Sequence, residues 1–196
     1  MSNLCELCRR DALDLAYEPE HSPRGLTVHV CQHCGLVQST PRIDRAPRAA
    51  AAVSGGADWG NVRYGKGFRT QAAIAALKRH SDLRNPLSLL DVGSNRGSFV
   101  RAFLETAPAA QVTALEPDER VADLCAGLER TELIRARIED APLETGRFDI
   151  VHSCHTLEHL AGPARTLADH WRVLKPHGLL LIDVPNTALL DADDIV

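Results

Sequence analysis

Four cysteines near the N-terminus have a spacing typical of metal ligands. Cys5 and Cys8 form one C-x2-C pair, Cys31 and Cys34 form a second pair, and 22 residues separate the two. Two residues between thiolates let one tight turn present both sulfurs to the same ion, and two such turns complete the tetrahedral S4 site of a structural Zn2+ ion. The alternatives are a redox C-x2-C pair or four unrelated thiols.

The residues around these cysteines predict a small module over residues 1–40. Thr27–Val30 alternates as a strand that enters the second turn, and Leu36–Val37 begins a strand that leaves it. Gly35 lies where a positive φ is easily accommodated. The pattern resembles a zinc ribbon. Forty residues bury little apolar surface, so we expect the metal to supply folding free energy.

A glycine-bearing turn between a predicted strand and a predicted helix is the second constellation. The strand is the apolar run Leu87–Val92, and the helix begins near Ser98. Such a turn lets a ligand approach the backbone, with free N–H groups directed at it. A dinucleotide fingerprint would need glycine at Asn95 and Ser98, so an NAD site fits poorly. A glycine turn without a ligand is the alternative.

The spacing of this turn resembles motif I of the class I S-adenosylmethionine (SAM)-dependent methyltransferases. The resemblance assigns five residues to cofactor binding, and they are Asp91, Gly93, Ser94, Asn95 and Gly97. Asparagine at position 95 replaces the usual middle glycine, and asparagine tolerates left-handed backbone.

Two later loops resemble the same family in the expected order. Glu116 ends the second strand, 25 residues after Asp91. The resemblance implies that its carboxylate accepts hydrogen bonds from the ribose hydroxyls of the cofactor. Taken alone, Glu116 would more often be a solvated strand end. The third loop resembles the one that lines adenine. Arg137 stands where the family often has Asp, so we expect Ile138 and Glu139 to make that contact, with solvated charges as the alternative.

The fourth loop resembles the segment that faces the methyl group in this family. Ser153 is assigned to cofactor binding there, and Tyr64, far upstream, is expected to close over the methionine end. His155 and His159 are four residues apart and would share one face of a helix. The same loop is similar to one that holds a divalent cation in quinone-pathway O-methyltransferases. His155 replaces an acidic residue of that loop, which argues against a second metal.

The resemblance implies a mechanism in which the protein positions the reactants and removes one proton. The sulfonium makes the methyl group electrophilic, so alignment and a base near neutral pH are what the chain must supply. Histidine fits that task, and we expect His159 to be the base, with His155 as the second candidate. The alternative is a histidine that caps the helix or bonds to backbone.

Strand and helix patterns alternate from residue 66 onward, which predicts an α/β fold with a parallel, Rossmann-like sheet. Among these elements are a helix over Asp118–Leu128 and a strand over Leu179–Val184 that follows a turn at residues 174–178. The family resemblance implies the strand order 3-2-1-4-5-7-6, and we find five of these strands, with the C-terminal ones missing. We therefore expect a zinc ribbon over 1–40, a linker over 41–65 and a SAM-binding domain over 66–196 that looks truncated. An exposed fifth strand predicts a partner or second copy along that edge.

Composition and charge exclude several functional classes. The 196-residue chain has a net charge of −4, and residues 1–40 carry −2, so a strongly basic nucleic-acid surface is missing. No run of eighteen apolar residues predicts a membrane span. The first residues lack the basic and apolar regions of a secretory signal, so we expect a cytoplasmic protein whose cysteines stay reduced.

The combined motifs favour SAM-dependent methyl transfer to a small molecule. The zinc module and the Gly93-Ser94-Asn95 turn most resemble sugar C-methyltransferases of deoxysugar biosynthesis and related natural-product and glycan enzymes, so a nucleotide-linked sugar is one expected acceptor. One alternative is an RNA methyltransferase that grips RNA through the zinc module, although that module has no aromatic stacking platform. The other is a truncated SAM-binding subunit without catalysis.

Overall fold

The computed structural model describes residues 4–20, 25–41, 66–123, 125–160 and 162–185. These residues form two separate sheets, one antiparallel and one parallel. Most of the predicted linker, Tyr64 and residues 186–196 lie outside the described residues. Among the helices that the structure does describe, none is long and apolar enough to cross a membrane.

The N-terminal sheet has three antiparallel strands in the order β1-β2-β3. Their bounds are β1 Leu13–Tyr17, β2 Thr27–Cys31 and β3 Val37–Thr40. The sequence predicted β2 and β3 but not β1, a short strand whose alternating residues Leu15 and Tyr17 stay exposed instead of joining a core. The strands hold the two C-x2-C segments at the same end of the sheet, since Leu13 pairs with Cys31 directly.

The second sheet is parallel and has the strand order β6-β5-β4-β7-β8. Its strands are β4 Ser88–Val92, β5 Gln111–Leu115, β6 Thr131–Ile134, β7 Phe148–Cys154 and β8 Leu174–Asp183. The helices around it are α1 Lys66–His80, α2 Ser98–Thr106, α3 Glu119–Ala122 and α4 Pro163–Val173, with a 3-10 turn at Leu157–His159. This order confirms the predicted Rossmann-like α/β fold.

The apolar strands are buried on both faces because helices cover the sheet on both sides. Leu89 and Leu90 are neighbours in β4, both are fully buried, and they belong to different core clusters. Leu89 packs with Phe103 of α2, whereas Leu90 packs with Val173 of α4. Successive strand residues point to opposite faces, so an unbroken apolar run is what a doubly covered strand requires.

The strand order reverses direction at β4, and this reversal creates the site. The chain proceeds from β4 outward through β5 and β6, then returns to the other side of β4 with β7 and β8. In open α/β sheets, ligands bind beyond the carboxyl ends of the strands at such a switch point. The loops that follow β4, β5 and β7 therefore converge there.

One predicted helix is wrong in length. The sequence predicted helix over Asp118–Leu128, but α3 ends at Ala122 and tighter turns follow it. The N–H of Cys125 donates to the carbonyl of Ala122, and Gly127 adopts a φ of 80° that no helix continues through. Glycine and this tighter bonding stop the helix after one turn.

The last strand also differs from its prediction. A turn over residues 174–178 and a strand over Leu179–Val184 were expected, but β8 begins at Leu174. Leu174 pairs with Phe148 and Leu179 pairs with Ile150, so the residues between them bulge out of register. Gly178 has no space for a Cβ beside Leu174 and the carbonyl of Asp149, which fixes glycine at the end of the bulge.

Candidate functional site

A cleft of about 300 Å³ opens at the carboxyl ends of β4, β5 and β7. Seven residues that the sequence assigned to the site line it, and they are Gly93, Asn95, Glu116, Ile138, Glu139, His155 and His159. Four others lie outside this lining, and they are Asp91, Ser94, Gly97 and Ser153. Its volume is at the lower end of the range for small-molecule pockets.

The turn after β4 is shaped by two left-handed residues. Gly93 has a φ of 78° and Asn95 a φ of 49°, so asparagine does adopt the conformation that the missing glycine would take. A Cβ at position 93 would overlap the hydroxyl of Thr156, which itself donates to the carbonyl of Val92 at 3.2 Å. The loop after β7 thus fills the space that glycine leaves open.

The expectation of free N–H groups in this turn is wrong. The N–H groups of Gly93 and Ser94 both donate to the carbonyl of Leu115, each at 2.9 Å. The N–H of Asn95 donates to Glu116 Oε2 at 2.8 Å, and that of Gly97 donates to the carbonyl of Ser94. The neighbouring strand ends so close to the turn that its carbonyl and carboxylate take these donors.

Glu116 is a buried carboxylate at the wall of the cleft. It ends β5 with only 8% of its surface exposed, and it accepts N–H bonds from Asn95 and, at 2.9 Å, from Asp118. Burial raises the pKa of Glu116 above its usual value, while the hydrogen bonds from Asp118 and Asn95 act in the opposite direction. Each carboxylate oxygen keeps acceptor capacity for a ligand hydroxyl.

Asp91 lies behind the turn in a buried pair that sequence reasoning missed. Its carboxylate is 2.7 Å from Nδ1 of His152, both side chains are less than a tenth exposed, and the imidazole stacks on Phe99 at 3.7 Å between ring centroids. The parallel register that sets Asp91 opposite His152 is the signal that could have found it. Asp91 therefore supports the turn from below.

Gly97 and Ser94 also stabilise the turn instead of lining the cleft. Gly97 has a φ of 72° as the N-cap of α2, and a Cβ there would overlap the sulfur of Cys125. The hydroxyl of Ser94 donates to the carbonyl of Asp91 at 2.8 Å. Ser153, at the end of β7 opposite Val92, has a buried hydroxyl with no hydrogen-bond partner among the described residues.

The loop after β6 forms one wall of the cleft. Ile138 is almost fully buried and lines the cleft together with Arg137 and Glu139. The carboxylate of Glu139 accepts the hydroxyl of Thr166 in α4, which ties this loop to the helix. The apolar Ile138 side chain between two charged ones suits the flat, mostly apolar face of an aromatic base.

The two candidate bases meet at one carboxylate. Glu158 Oε1 lies 3.1 Å from Nδ1 of His155 and 3.9 Å from Nε2 of His159. The prediction that the two histidines share a helix face is wrong, because His155 has a φ of 51° and precedes the 3-10 turn Leu157–His159. Both still line the cleft, and Glu158, part of the pattern that resembles the quinone-pathway loop, lies between them.

The four N-terminal cysteines form a compact cluster. Cys5 and Cys34 have sulfurs 3.5 Å apart, those of Cys8 and Cys31 are 3.6 Å apart, and all four lie within 4.8 Å of one another. In a tetrahedral S4 site with Zn–S bonds of about 2.3 Å, sulfurs are about 3.8 Å apart. The four residues therefore fit a Zn2+ ion.

The two C-x2-C turns repeat the same backbone geometry. The N–H of Arg9 donates to the carbonyl of Cys5 at 2.9 Å, and that of Gly35 donates to Cys31 at 2.8 Å. Both residues follow the second cysteine of their pair and both have positive φ, 59° at Arg9 and 75° at Gly35. One turn design thus presents both pairs of sulfurs.

Comparison with known proteins relates the sequence of the parallel sheet to methyltransferases. Residues 90–182 match the methyltransferase domain family. A probable SAM-dependent methyltransferase of Mycobacterium tuberculosis is 33% identical over 99 residues, which is 50% of this chain and 35% of that protein. A demethylmenaquinone methyltransferase of Deinococcus radiodurans is 30% identical over 129 residues, which is 63% of this chain and 52% of that protein.

A solved structure shows the same fold at lower sequence similarity. The plantazolicin methyltransferase BpumL, in complex with S-adenosylhomocysteine (SAH), has a TM-score of 0.58 and 14% identity over 74% of this chain and 59% of its own. The chain spans about a third to a half of the two curated relatives. Residues 90–182 therefore resemble the methyltransferase domain family in sequence, and the parallel sheet has the Rossmann-like α/β fold of SAM-dependent methyltransferases.

Proposed function

We propose that this protein transfers a methyl group from SAM to a small-molecule acceptor in the cleft. The observation that carries the proposal is the buried Glu116 carboxylate, which lines the cleft beside the Gly93 turn at the switch point of the sheet. A carboxylate at the end of the second strand is the group that binds ribose hydroxyls in such folds. Ionised acceptors bind hydroxyl donors more strongly than neutral ones do.

The chain's own residues divide the donor site into two parts. Glu116 would accept hydrogen bonds from the ribose, and Ile138 would pack on the adenine with Glu139 at the rim. The left-handed backbone at Gly93 lets Thr156 pack directly against the turn, which fixes the wall of the cleft beside Glu116. SAM supplies an electrophilic methyl group when it is bound, so the protein need not activate the donor.

His159 is the base that we assign to the acceptor side. It lines the cleft with 43% of its side chain exposed, so an acceptor can reach it, and Glu158 stands 3.9 Å from its Nε2. Imidazole exchanges protons near neutral pH, which suits a general base. His159 would take the proton of the acceptor while the cleft holds acceptor and methyl group in line.

Three considerations support a small molecule as the acceptor. The cleft has the volume of a small-molecule pocket, and the N-terminal module carries net negative charge, which disfavours RNA. Two similar proteins are a demethylmenaquinone methyltransferase and a plantazolicin methyltransferase, the latter solved in complex with a desmethylPZN analog. The resemblance of the Gly93-Ser94-Asn95 turn to sugar C-methyltransferases makes a nucleotide-linked sugar the first acceptor to test.

The S4 cluster completes the proposal with a structural Zn2+ ion. Four thiolates fill a tetrahedral shell and leave no position for a substrate, so this ion would stabilise the module and take no part in methyl transfer. Its sulfurs already stand near the required separations.

Binding of SAH to the full chain tests the donor site. We expect Glu116→Gln to weaken SAH binding by about 10- to 100-fold, because a hydrogen bond to a charged group contributes about 1.5–3 kcal/mol. Isothermal titration calorimetry measures the change. Glu119→Gln is the matched control, since Glu119 is exposed three residues away and should leave affinity unchanged.

Transfer of a labelled methyl group tests the acceptor class. The full chain is incubated with methyl-labelled SAM and, separately, with nucleotide-linked sugars, quinols and total RNA. Label in the small-molecule fraction supports the proposal. Label in RNA, with binding that weakens as salt rises, would replace it with the RNA alternative.

A further inference from the structure

Three side chains of metal-binding type meet at the carboxyl ends of β7 and β8, away from the S4 cluster. They are Cys154, His155 and Asp183, each half-buried, and one ligand atom from each lies within 4.8 Å of the other two. Strand pairing brings them together, because Cys154 is opposite Asp183 in the parallel register. The S4 cluster and this trio are the metal-compatible groups within the described residues.

The backbone at His155 makes this meeting possible. Consecutive residues of a strand point to opposite faces, so Cys154 and His155 would normally diverge. The φ of 51° at His155 breaks that alternation, and its N–H donates to the carbonyl of Asp183 at 2.8 Å. A non-glycine residue in left-handed conformation is strained, so this geometry is held by its surroundings.

Two of the three ligand atoms lie at a separation that a metal ion can bridge. The thiol of Cys154 donates a hydrogen bond to Asp183 Oδ2, with 3.7 Å between the two atoms. Around a tetrahedral ion with Zn–S of about 2.3 Å and Zn–O of about 2.1 Å, sulfur and oxygen are about 3.6 Å apart. Glu158 Oε1 lies 3.1 Å from Nδ1 of His155, and a carboxylate beside a ligating imidazole orients it and raises its basicity.

The sequence argued against a second metal because His155 replaces an acidic ligand, but the structure brings a different set of ligands to His155. We propose that Cys154, His155 and Asp183 bind a divalent transition-metal ion of the zinc class. Thiolate and imidazole ligands select zinc or cobalt over magnesium and calcium. Three protein ligands leave one position of a tetrahedral shell open, which distinguishes this site from the closed S4 cluster. The open position would accept water or an oxygen or sulfur atom of a substrate.

The role of this ion follows from its place beside the cleft, and it rests on the proposed methyl transfer. His155 also lines the cleft, so the ion would border the acceptor. If the acceptor carries a hydroxyl, the ion would lower the pKa of that hydroxyl, and His159 would take its proton. The oxygen electron pair would then form the bond to the methyl carbon, and the C–S bond would break with its electrons left on sulfur.

Metal content of the full chain is the first test. We expect two zinc equivalents per chain after dialysis against metal-free buffer, measured by mass spectrometry of the metal. Cys154→Ser and Asp183→Asn should each reduce the content to one. The matched controls Cys125→Ala and Asp82→Asn should keep two, because Cys125 and Asp82 lie outside the trio. Circular dichroism verifies that each variant is folded.

Cobalt spectra provide a second, independent readout. Replacement of zinc by Co2+ should give S4-type thiolate charge-transfer bands plus a weaker component from a site with one thiolate. Cys154→Ser should remove only that component. One equivalent in the unmodified chain, or a second equivalent that survives Cys154→Ser, would overturn the proposal.

SAH affinity, measured in the same samples, separates this proposal from the proposed function. Cys154 and Asp183 are not in the cleft lining, so SAH binding should persist when the second ion is lost. A second ion with no SAH binding would contradict the methyltransferase activity alone. SAH binding without a second ion would contradict only the metal site.

Discussion

At the scale of single residues, Glu116 carries two opposing requirements. Its carboxylate must be ionised to accept two ribose hydroxyls, yet burial raises its pKa and so disfavours the ionised form. The N–H groups of Asn95 and Asp118 partly offset that cost. A buried acid with a raised pKa is typical of a functional site and is unfavourable for stability at neutral pH.

The raised pKa of Glu116 predicts a pH dependence of donor binding. SAH affinity should fall as pH decreases toward the raised pKa, above the pH at which an exposed glutamate takes up its proton, because the protonated group loses acceptor strength. Folding has the opposite sign: a raised folded-state pKa contributes stability below the unfolded-state pKa, and this is lost as pH rises through the folded-state pKa. Calorimetric titrations across pH, compared with Glu116→Gln, measure the first effect. A pH profile equal to that of the variant would contradict it.

His159 predicts a loss of turnover without a loss of donor binding. His159→Ala should lower kcat on the acceptor found by labelling by about 10²- to 10⁴-fold, the usual contribution of a general base. SAH affinity should stay near its original value, and added imidazole should restore part of the rate. His80→Ala, at the exposed end of α1, is the control. Unchanged kcat in His159→Ala would remove this residue from the mechanism.

At the scale of elements, the turn after β4 and the loop after β7 share one contact. The missing side chain of Gly93 is replaced by the hydroxyl of Thr156, so each loop fixes the position of the other. The sequence predicted both loops and their order. It did not predict this contact, because the loops are far apart in the chain and only the register of β4 and β7 brings them together.

This contact predicts that two glycines with similar φ respond differently to alanine. Gly146→Ala meets no atom within 4 Å, so it should lose only the cost of left-handed backbone, about 1–2 kcal/mol. Gly93→Ala should lose about 1–3 kcal/mol more, because its Cβ overlaps Thr156. Adding Thr156→Ala to Gly93→Ala should recover most of that difference. Urea unfolding measures all variants, and equal losses at the two glycines would contradict the contact.

The elements also show where sequence patterns stop being informative. Continuous apolar runs such as Leu87–Val92 identify buried parallel strands, because only doubly covered strands need them. The exposed strand Leu13–Tyr17 has no such continuous run, and helix α3 ends at a tight turn before Gly127 that periodicity does not report. The His152–Asp91 pair depends on how β4 and β7 align in the sheet. The sequences of the two segments do not reveal that alignment.

At the scale of the whole molecule, the chain joins a small sheet that presents the S4 cluster to a larger sheet that has its own apolar core. The parallel sheet buries two apolar clusters, whereas the buried apolar side chains of the N-terminal module that the structure describes are the cysteines Cys5 and Cys31. The two parts should therefore differ in what stabilises them. The sequence anticipated this difference from cysteine spacing and the short length of the module.

Chelation should accordingly affect the two parts unequally. Removing metal with a strong chelator should unfold the N-terminal sheet while the parallel sheet keeps its helices, because four thiolates without an ion cannot hold the two turns together. Limited proteolysis should then cut within residues 4–41 first, and circular dichroism should retain the helical signal. Undiminished protease resistance of the N-terminal residues would contradict a structural zinc ion.

The repeated turn of the N-terminal module has a further consequence. Arg9 and Gly35 occupy equivalent positions in two copies of the same turn. The stability of the two turns can therefore be compared within one polypeptide. The same turn occurs twice, once with glycine at the left-handed position and once with an arginine held in a conformation that is disfavoured for it. The turn that begins with Cys5 is thus the less stable of the two, and local unfolding of the module should begin there.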